Sequence, residues 1–267
     1  MAGNTKALRV RIKSVTSTMQ LTKAMGLVAS SKIRRANEAM SKGLEYSESL
    51  EKMINLLTAD RESSKSPYMK KRETSRTRII VIAGDRGLAG GYNANVFRLA
   101  ANYPDAEFIP IGKRACERFN KEVLSSEYFS FDDAVKMADA LCKDFADEKF
   151  DRLGIISTRY ISVMSQEAYI KWLLPFEKSE KSDAAGIVFE PDHLTVLNNV
   201  AREYIAGMIT VCARESFASE VSARRMAMDS AGKNAQQMIS DLQLEYNRAR
   251  QGAITQEITE IVAGSGT

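Results

Sequence analysis

The chain has 267 residues, 44% hydrophobic and 27% charged, enough apolar material for a folded core of one or two domains. No run of eighteen apolar residues occurs, which excludes a membrane-spanning helix, and the basic N-terminus lacks the apolar stretch of a signal peptide. A single histidine, His193, and three scattered cysteines, Cys116, Cys142 and Cys212, exclude a histidine-based triad, a multi-histidine metal site and a disulfide framework within the chain. The net charge of +4 hides an asymmetry: residues 1–43 hold nine Lys or Arg and one acid, Glu38, a net +8, so the remaining 224 residues carry −4. A segment this basic calls for an acidic neighbour.

In chain order, the first 60 residues read as one helix. Positions spaced alternately by four and three, from Leu8 through Ile12, Val15, Met19 and on to Leu50, Ile54 and Leu57, are apolar at eleven of fifteen places, and no proline precedes Pro67. Seven heptads of this kind predict a left-handed coiled coil, about 80 Å long at 1.5 Å per residue. Residues 60–78 are polar and contain Pro67, which predicts a linker or exposed loop.

The periodicity then changes. Arg78–Ala83 predicts a strand buried on both faces, followed by the glycine-rich stretch Gly84–Gly91 and a helix over Asn93–Asn102. Strand and helix alternate onward: a strand at Phe108–Ile111, a helix at Lys113–Asn120, a third strand at Val123–Phe131, and a helix from Asp132 and Asp133 to about Glu148, with Asp132 as N-cap. A fourth strand follows at Leu153–Ser157, then strand candidates at Ala168–Leu174 and Ile187–Phe189. This order predicts a Rossmann-like, doubly wound α/β domain with a largely parallel sheet, over about residues 75–190. From Pro191 the chain reads as helix to its end, with Asp192 adding negative charge to the first turn and His193 on the surface. Apolar positions recur at Ala201, Ile205, Met208 and Cys212, and again at Met228, Ala231, Ala235, Met238, Leu242 and Ala249. The last residues, Gly264-Ser265-Gly266, are expected to fray. The fold class is therefore α/β: an antiparallel coiled coil of N- and C-terminal helices (1–60 and 191–267) with an α/β base between them.

Few residues invite chemistry. Gly84–Gly91 follows a strand and opens a helix, but its G-x-x-G-x-x-G spacing matches neither GxGxxG nor GxxxxGK[ST], so tight turns account for it better than a phosphate site. The Asp132–Asp133 pair serves helix capping better than acid–base work, and Cys116 and Cys142 read as small buried hydrophobes. The basic helix has no aromatic residue before Tyr46 and no nucleic-acid motif, which favours an acidic protein surface as its partner.

Three blocks carry a resemblance: Ile12-Lys13-Ser14-Val15 with Leu21-Thr22-Lys23-Ala24-Met25 and Val28-Ala29-Ser30-Ser31-Lys32; Asp85-Arg86-Gly87-Leu88-Ala89-Gly90-Gly91; and Ala218-Ser219-Glu220, Arg224, Ala227-Met228, Leu244–Gln251 and Ile254–Val262. In this order and over the whole chain they resemble the gamma subunit of rotary F-type ATP synthases. The resemblance implies a non-catalytic rotor shaft, with no cofactor, inside a ring of alpha and beta subunits. Its base would sit on a membrane ring of c subunits beside the epsilon subunit, without nucleic acid or a small-molecule substrate of its own. It further implies that Lys23, Met25, Arg86, Arg250, Gln251, Thr255 and Glu257 contact catalytic subunits, and that Ile258, Ile261 and Val262 form an apolar bearing tip. The pattern departs from the family at Ala89, where many members have Cys, at Gly26, and at Asp229, a frequent Lys. A Met1 start without a presequence points to a bacterial protein, peripheral on the cytoplasmic face of the plasma (inner) membrane; a processed organellar protein is the alternative. Two other readings of the residues stay open: a nucleotide-binding α/β enzyme and a coiled-coil nucleic-acid or tethering protein.

Overall fold

The heptad seam folds as its spacing dictates. In the computed structural model, which describes residues 2–72, 76–179 and 189–264, helix α1 runs Ala2–Ala59, and all fifteen seam positions are buried or half-buried. The last helix, α5, runs His193–Gly264. The chain divides into two compact units: Met1–Ala29 with Arg225–Thr267, and Ser30–Arg224.

The first unit is a pair of helical segments. A Cβ on Gly26 would lie 3.6 Å from Met228 Cβ, and one on Gly232 would lie 3.7 Å from Thr22 Oγ1. A step of four down one helix matches a step of four up the other, so the pair is antiparallel. Small residues at these positions let the backbones approach. Leu8, Thr22, Ala29, Met228, Ala235, Ile239 and Leu242 are buried along the seam. Ile239 takes the core place expected of Met238, which is 45% exposed; with small residues around it, the seam offers two adjacent apolar side chains, and the branched one is enclosed. The same register places residue 2 opposite about residue 252, so along the described residues α5 outruns α1.

The second unit is built on a four-stranded sheet, β1 (Thr77–Ile82), β2 (Glu107–Ile111), β3 (Arg152–Tyr160) and β4 (Gln166–Leu174), in the order β2-β1-β3-β4. β1 pairs parallel with β2 and β3, and β4 runs antiparallel to β3. Alternate residues of β1 feed two cores. Ile80 and Ile82 face a large cluster with Leu50, Ile54 and Leu57 of α1, Phe145 of α4 (Phe131–Ala146) and Leu197, Ala201 and Ile205 of α5. Ile79 and Val81 face a smaller one with Val96 of α2 (Tyr92–Ala100) and Ala115 of α3 (Lys113–Phe119). Helices on both faces complete the doubly wound arrangement. At the entry to α3, Gly112 has φ +99°, and a Cβ there would lie 1.9 Å from the Ala83 carbonyl oxygen. Only glycine fits.

Four further expectations need correction. Residues 60–78 are not a plain linker: Arg61–Lys65 and Pro67–Met69 are two packed 3-10 turns, β1 begins at Thr77, and residues 73–75 lie outside the described residues. Two serines of the segment point inward: Ser63 Oγ donates to the Asp60 carbonyl (2.6 Å) and Ser66 Oγ to Asn198 Oδ1 (2.8 Å), and Tyr68 stacks on Phe145 with centroids 6.0 Å apart. Residues 123–130 form no strand, because their amides are taken elsewhere: Leu124 N–H donates to Cys116 Sγ, and the Ser126 and Glu127 N–H groups donate to the Asp85 carboxylate. The N-cap of α4 is Ser130, in a capping box with Asp133, rather than Asp132. His193 is buried and packs edge-on against Phe189, 5.1 Å between centroids, while Asp192 caps α5 by accepting from Thr195 N–H at 2.9 Å. Of the candidate strand Ile187–Phe189, Ile187 and Val188 lie outside the described residues, as do Ser265 and Gly266. Cys116, Cys142 and Cys212 are buried free thiols.

Candidate functional site

In an open α/β sheet, ligands bind beyond the carboxyl ends of the strands, at the point where the strand order reverses. Here that point lies between β1 and β3, and α5 occupies it. β1 pairs with β3 only as far as Val81–Ile156, so the last residues of β3, paired with β4 on one side, have backbone groups on the β1 side with no strand beside them. Side chains of α5 supply the partners. Thr158 N–H donates to Ser216 Oγ (3.1 Å), Tyr160 N–H donates to Glu215 Oε1 (3.1 Å), and Ser219 Oγ donates to the Thr158 carbonyl (3.3 Å). Tyr92, which opens α2, donates its hydroxyl to the Ser216 carbonyl at 3.0 Å.

At the end of β1 the plug is a carboxylate. Glu220 packs so closely on Gly84 that a Cβ there would meet its Cδ at 2.6 Å and its oxygens at 2.8 and 3.0 Å. Glu220 therefore sits where the glycine-rich turn of a dinucleotide-binding fold would receive a phosphate. Burial pushes its carboxyl above the usual range, and Arg224 offsets only part of that. The Arg224 guanidinium lies 2.5 Å from Glu220 Oε1 and also reaches the carbonyls of Arg86 (3.4 Å) and Gly87 (3.3 Å). Next along the turn, Asp85 accepts from Ser125 Oγ (2.5 Å) and from the amides of Lys113 (3.0 Å), Ser126 (2.9 Å) and Glu127 (3.1 Å). Partial burial opposes its charge, but these bonds outweigh it and hold the carboxyl below its ordinary range. The turn itself passes through Leu88 (φ 61°) and Gly90 (φ 58°). The Asp-Arg-Gly-Leu-Ala-Gly-Gly motif thus ties β1, α3, the 125–130 loop and α5 together.

Nothing in the periodicity of α5 singles out Glu215, Ser216, Ser219, Glu220 and Arg224 as the plug. The available signal is polar residues on a helix that, apart from the exposed Arg202, Glu203 and Arg214, is small or apolar over most of its surface from Ala201 to Ser222. A helix buried all round that still carries carboxylates must meet polar groups within the core.

The expected contact residues fall elsewhere. Arg86 is exposed on the second unit, 3.7 Å from Glu127, which also pairs with Lys32. On the first unit Lys23 is exposed and Met25 half-buried on α1, whereas Arg250, Gln251, Thr255 and Glu257 are exposed on α5. The antiparallel register sets Lys23 and Met25 opposite residues near 230, about 30 Å along the helix from Arg250, so the structure does not bring these groups together. Ile254, Ile258, Ile261 and Val262 are 47%, 56%, 70% and 65% exposed on the part of α5 that outruns α1. Of the nine basic residues in 1–43, only Lys32 and Arg34 make ion pairs among the described residues, with Glu127 and Glu38. Among the described residues, most of the positive charge of α1 is left without an ion-pair partner.

Comparison with known proteins gives this arrangement a family. Among solved structures, the chain is similar to a chain in the Euglena gracilis mitochondrial ATP synthase OSCP/F1/c-ring assembly in rotational state 3 (18% identity, 98% of this chain and 94% of that chain covered, TM-score 0.70). It is similar also to a chain of the rotor of the same enzyme in rotational state 1 (17% identity, 95% and 100% covered, TM-score 0.66). A third similar chain comes from the central stalk/c-ring of the Tetrahymena thermophila mitochondrial ATP synthase (22% identity, 79% and 99% covered, TM-score 0.62). At these identities the structures establish the shared fold. The family's sequence profile, described as ATP synthase, matches residues 4–267, and the chain therefore belongs to the ATP synthase gamma-subunit family.

Proposed function

We propose that this chain is the central rotor shaft of an F-type ATP synthase. It couples proton flow through a membrane ring of c subunits to ATP synthesis or hydrolysis on the catalytic subunits, and carries no active site itself. The observation that carries the reading, beyond family membership, is the end of α5: a helix that outruns its partner and presents Ile254, Ile258, Ile261 and Val262 to solvent. A row of exposed apolar residues on one helix marks a surface that another protein covers. Arg250, Gln251, Thr255 and Glu257 form the polar zone beside it that touches successive catalytic subunits. Lys23, Met25 and Arg86 face their acidic loops, for which the unpaired cations of α1 provide the complementary charge. The plug at the switch point supports a non-catalytic role for the α/β unit, because Glu220 fills the place a nucleotide phosphate would take.

The partners in this reading are the alpha and beta subunits of the catalytic head, the c ring and an epsilon subunit beside the α/β unit. No described helix is long and apolar enough to cross a membrane, and attachment is through partners as a peripheral subunit. The bacterial plasma membrane, cytoplasmic face, is the location we favour; the similar solved structures are mitochondrial. The test is affinity purification of tagged chain from its native membranes. Capture of an ATPase with its head and membrane ring is expected. A lone chain that binds ATP at micromolar concentration, or DNA with a steep salt dependence, would overturn the proposal.

A further inference from the structure

On the second unit, α1, α5 and the 125–130 loop enclose an open cleft of about 250 Å3. Its helical walls repeat one pattern: Arg35, Ala36 and Ala39 from α1, and Ala213, Arg214 and Phe217 from α5. In each, an arginine sits beside an alanine, and the next turn adds a second apolar side chain on the same face. Phe129 of the loop closes the third side.

Three features give the cleft a ligand preference. The first is charge. Arg35 and Arg214 are exposed, and neither has an ion-pair partner among the described residues. The one carboxylate in the lining, Glu127, is already paired with Lys32 and lies 3.7 Å from Arg86, so two guanidiniums remain uncompensated over the cleft. The second is the apolar interior. Phe129 and Phe217 are half-buried, and the alanines leave room between them. The third is rigidity. The loop that forms the floor is held by Asp85, which takes the Ser125 hydroxyl and the Ser126 and Glu127 amides. Ser126, also in the lining, is buried, and its hydroxyl has no hydrogen-bond partner among the described residues.

We propose that this cleft binds a small organic anion with a flat apolar body, an aromatic carboxylate or a close equivalent. Its ring lies between Phe129 and Phe217, and its charged group is gripped by Arg35 and Arg214. Guanidinium forks match planar carboxylates and also stack on aromatic faces, so both parts of such a ligand are recognised. The volume lies below the roughly 300–1,000 Å3 usual for drug-sized ligands, which suits a one- or two-ring acid. The site is independent of the rotor reading and uses none of the residues assigned to it.

The experiment titrates the full chain with 1-naphthoate, followed by isothermal calorimetry. Naphthalene-1-carboxamide serves as the uncharged isostere and inorganic phosphate as charge without a ring. Saturable one-to-one binding of naphthoate is expected, with both controls weaker by about ten-fold or more. Arg35→Gln and Arg214→Gln, exposed substitutions that leave the core intact, should each weaken naphthoate about ten-fold and leave the carboxamide unchanged. Ala39→Phe, which fills the cleft without altering charge, should abolish binding while the circular dichroism spectrum stays that of the parent. Absence of saturation at millimolar naphthoate would overturn the proposal. So would binding that survives all three substitutions, or phosphate binding as tight as naphthoate.

Discussion

Removing the Arg224 guanidinium should be among the most damaging single changes to the second unit, and its cost should depend on pH. The side chains of Arg224 and Glu220 are 13% and 4% exposed, with 2.5 Å between Nη2 and Oε1. Arg224→Met keeps most of the side-chain volume and leaves Glu220 as an uncompensated carboxylate against Gly84, a change of about 3–5 kcal/mol for a broken buried pair. Protonation limits the damage. Burial already raises the Glu220 carboxyl, and Arg224 is what pulls it back, so in the variant it rises further. A group whose native pKa exceeds its unfolded one binds its proton more tightly when folded. Its favourable contribution is complete below the unfolded pKa and is lost as pH rises through the native pKa. The deficit of the variant should therefore shrink as pH falls from neutrality, by at most about 1.4 kcal/mol per pH unit for one proton. Glu220→Gln on top of Arg224→Met should restore much of the loss at neutral pH, because the orphaned charge is gone. Urea unfolding of parent, single and double variants at neutral pH and about two units lower gives all the terms. A deficit that does not change with pH, or a double variant no better than the single, would refute the reading of Arg224 as the group that compensates the Glu220 carboxylate.

The double variant Arg250→Ala, Gln251→Ala should leave chain stability within about 0.5 kcal/mol, since both residues are exposed. It should also slow ATP hydrolysis by the assembled complex about ten-fold through loss of a charge-assisted contact; normal assembly with a normal rate would remove the pair from the contact zone. Two glycines of α5 should respond in opposite directions. Gly207→Ala sets a Cβ 2.4 Å from Leu50 Cδ1 and 2.9 Å from Tyr46 Cε1 and should destabilise by about 1–3 kcal/mol, whereas Gly252→Ala meets nothing within 4 Å and should stabilise the helix by about 0.5–1 kcal/mol; thermal unfolding of the two variants reads both. Burial pushes the Cys142 thiol up to about 11, and Cys116 and Cys212 are equally enclosed, so maleimide should label none of the three near neutral pH until denaturant is added, as followed by mass spectrometry.

How much of this was legible in the sequence differs by element, and the differences have physical causes. The α1 seam was readable because a heptad repeat follows from helix geometry alone, and each of its fifteen positions is at least half-buried. β1 and β3 were readable as short apolar runs because a strand covered on both faces has no polar side to break the run. The 123–130 segment was misread for the opposite reason. Its Val, Leu, Tyr and Phe favour a strand, but a single distant carboxylate, Asp85, takes the amides a strand would need. Composition cannot report a hydrogen-bond partner forty residues away. The serines of 60–66 misled in the same way: they are polar in the sequence, yet Ser63 and Ser66 are buried as local caps and partners.

α5 carries the larger lesson, since one helix meets two different physical demands along its length. In the second unit it is enclosed on nearly every side from Ala201 to Ser222, so hydrophobic periodicity fades and the polar residues it retains are those that complete β3 and seat on Gly84. In the first unit it has one partner, and small residues there permit close pairing with α1. Beyond residue 252 it extends past α1 along the described residues, and apolar residues return, now exposed. A doubly wound sheet normally leaves its switch point open for a ligand; here the chain closes it with its own helix. The side chains that close it, Glu215, Ser216, Ser219 and Glu220, bond to backbone or lie against it, so the closure depends on where α5 sits more than on what it recognises. That is the requirement of a mechanical part. A shaft transmits torque through α5 only if the helix is anchored in the α/β unit, and occupying the ligand site provides the anchor while removing the site.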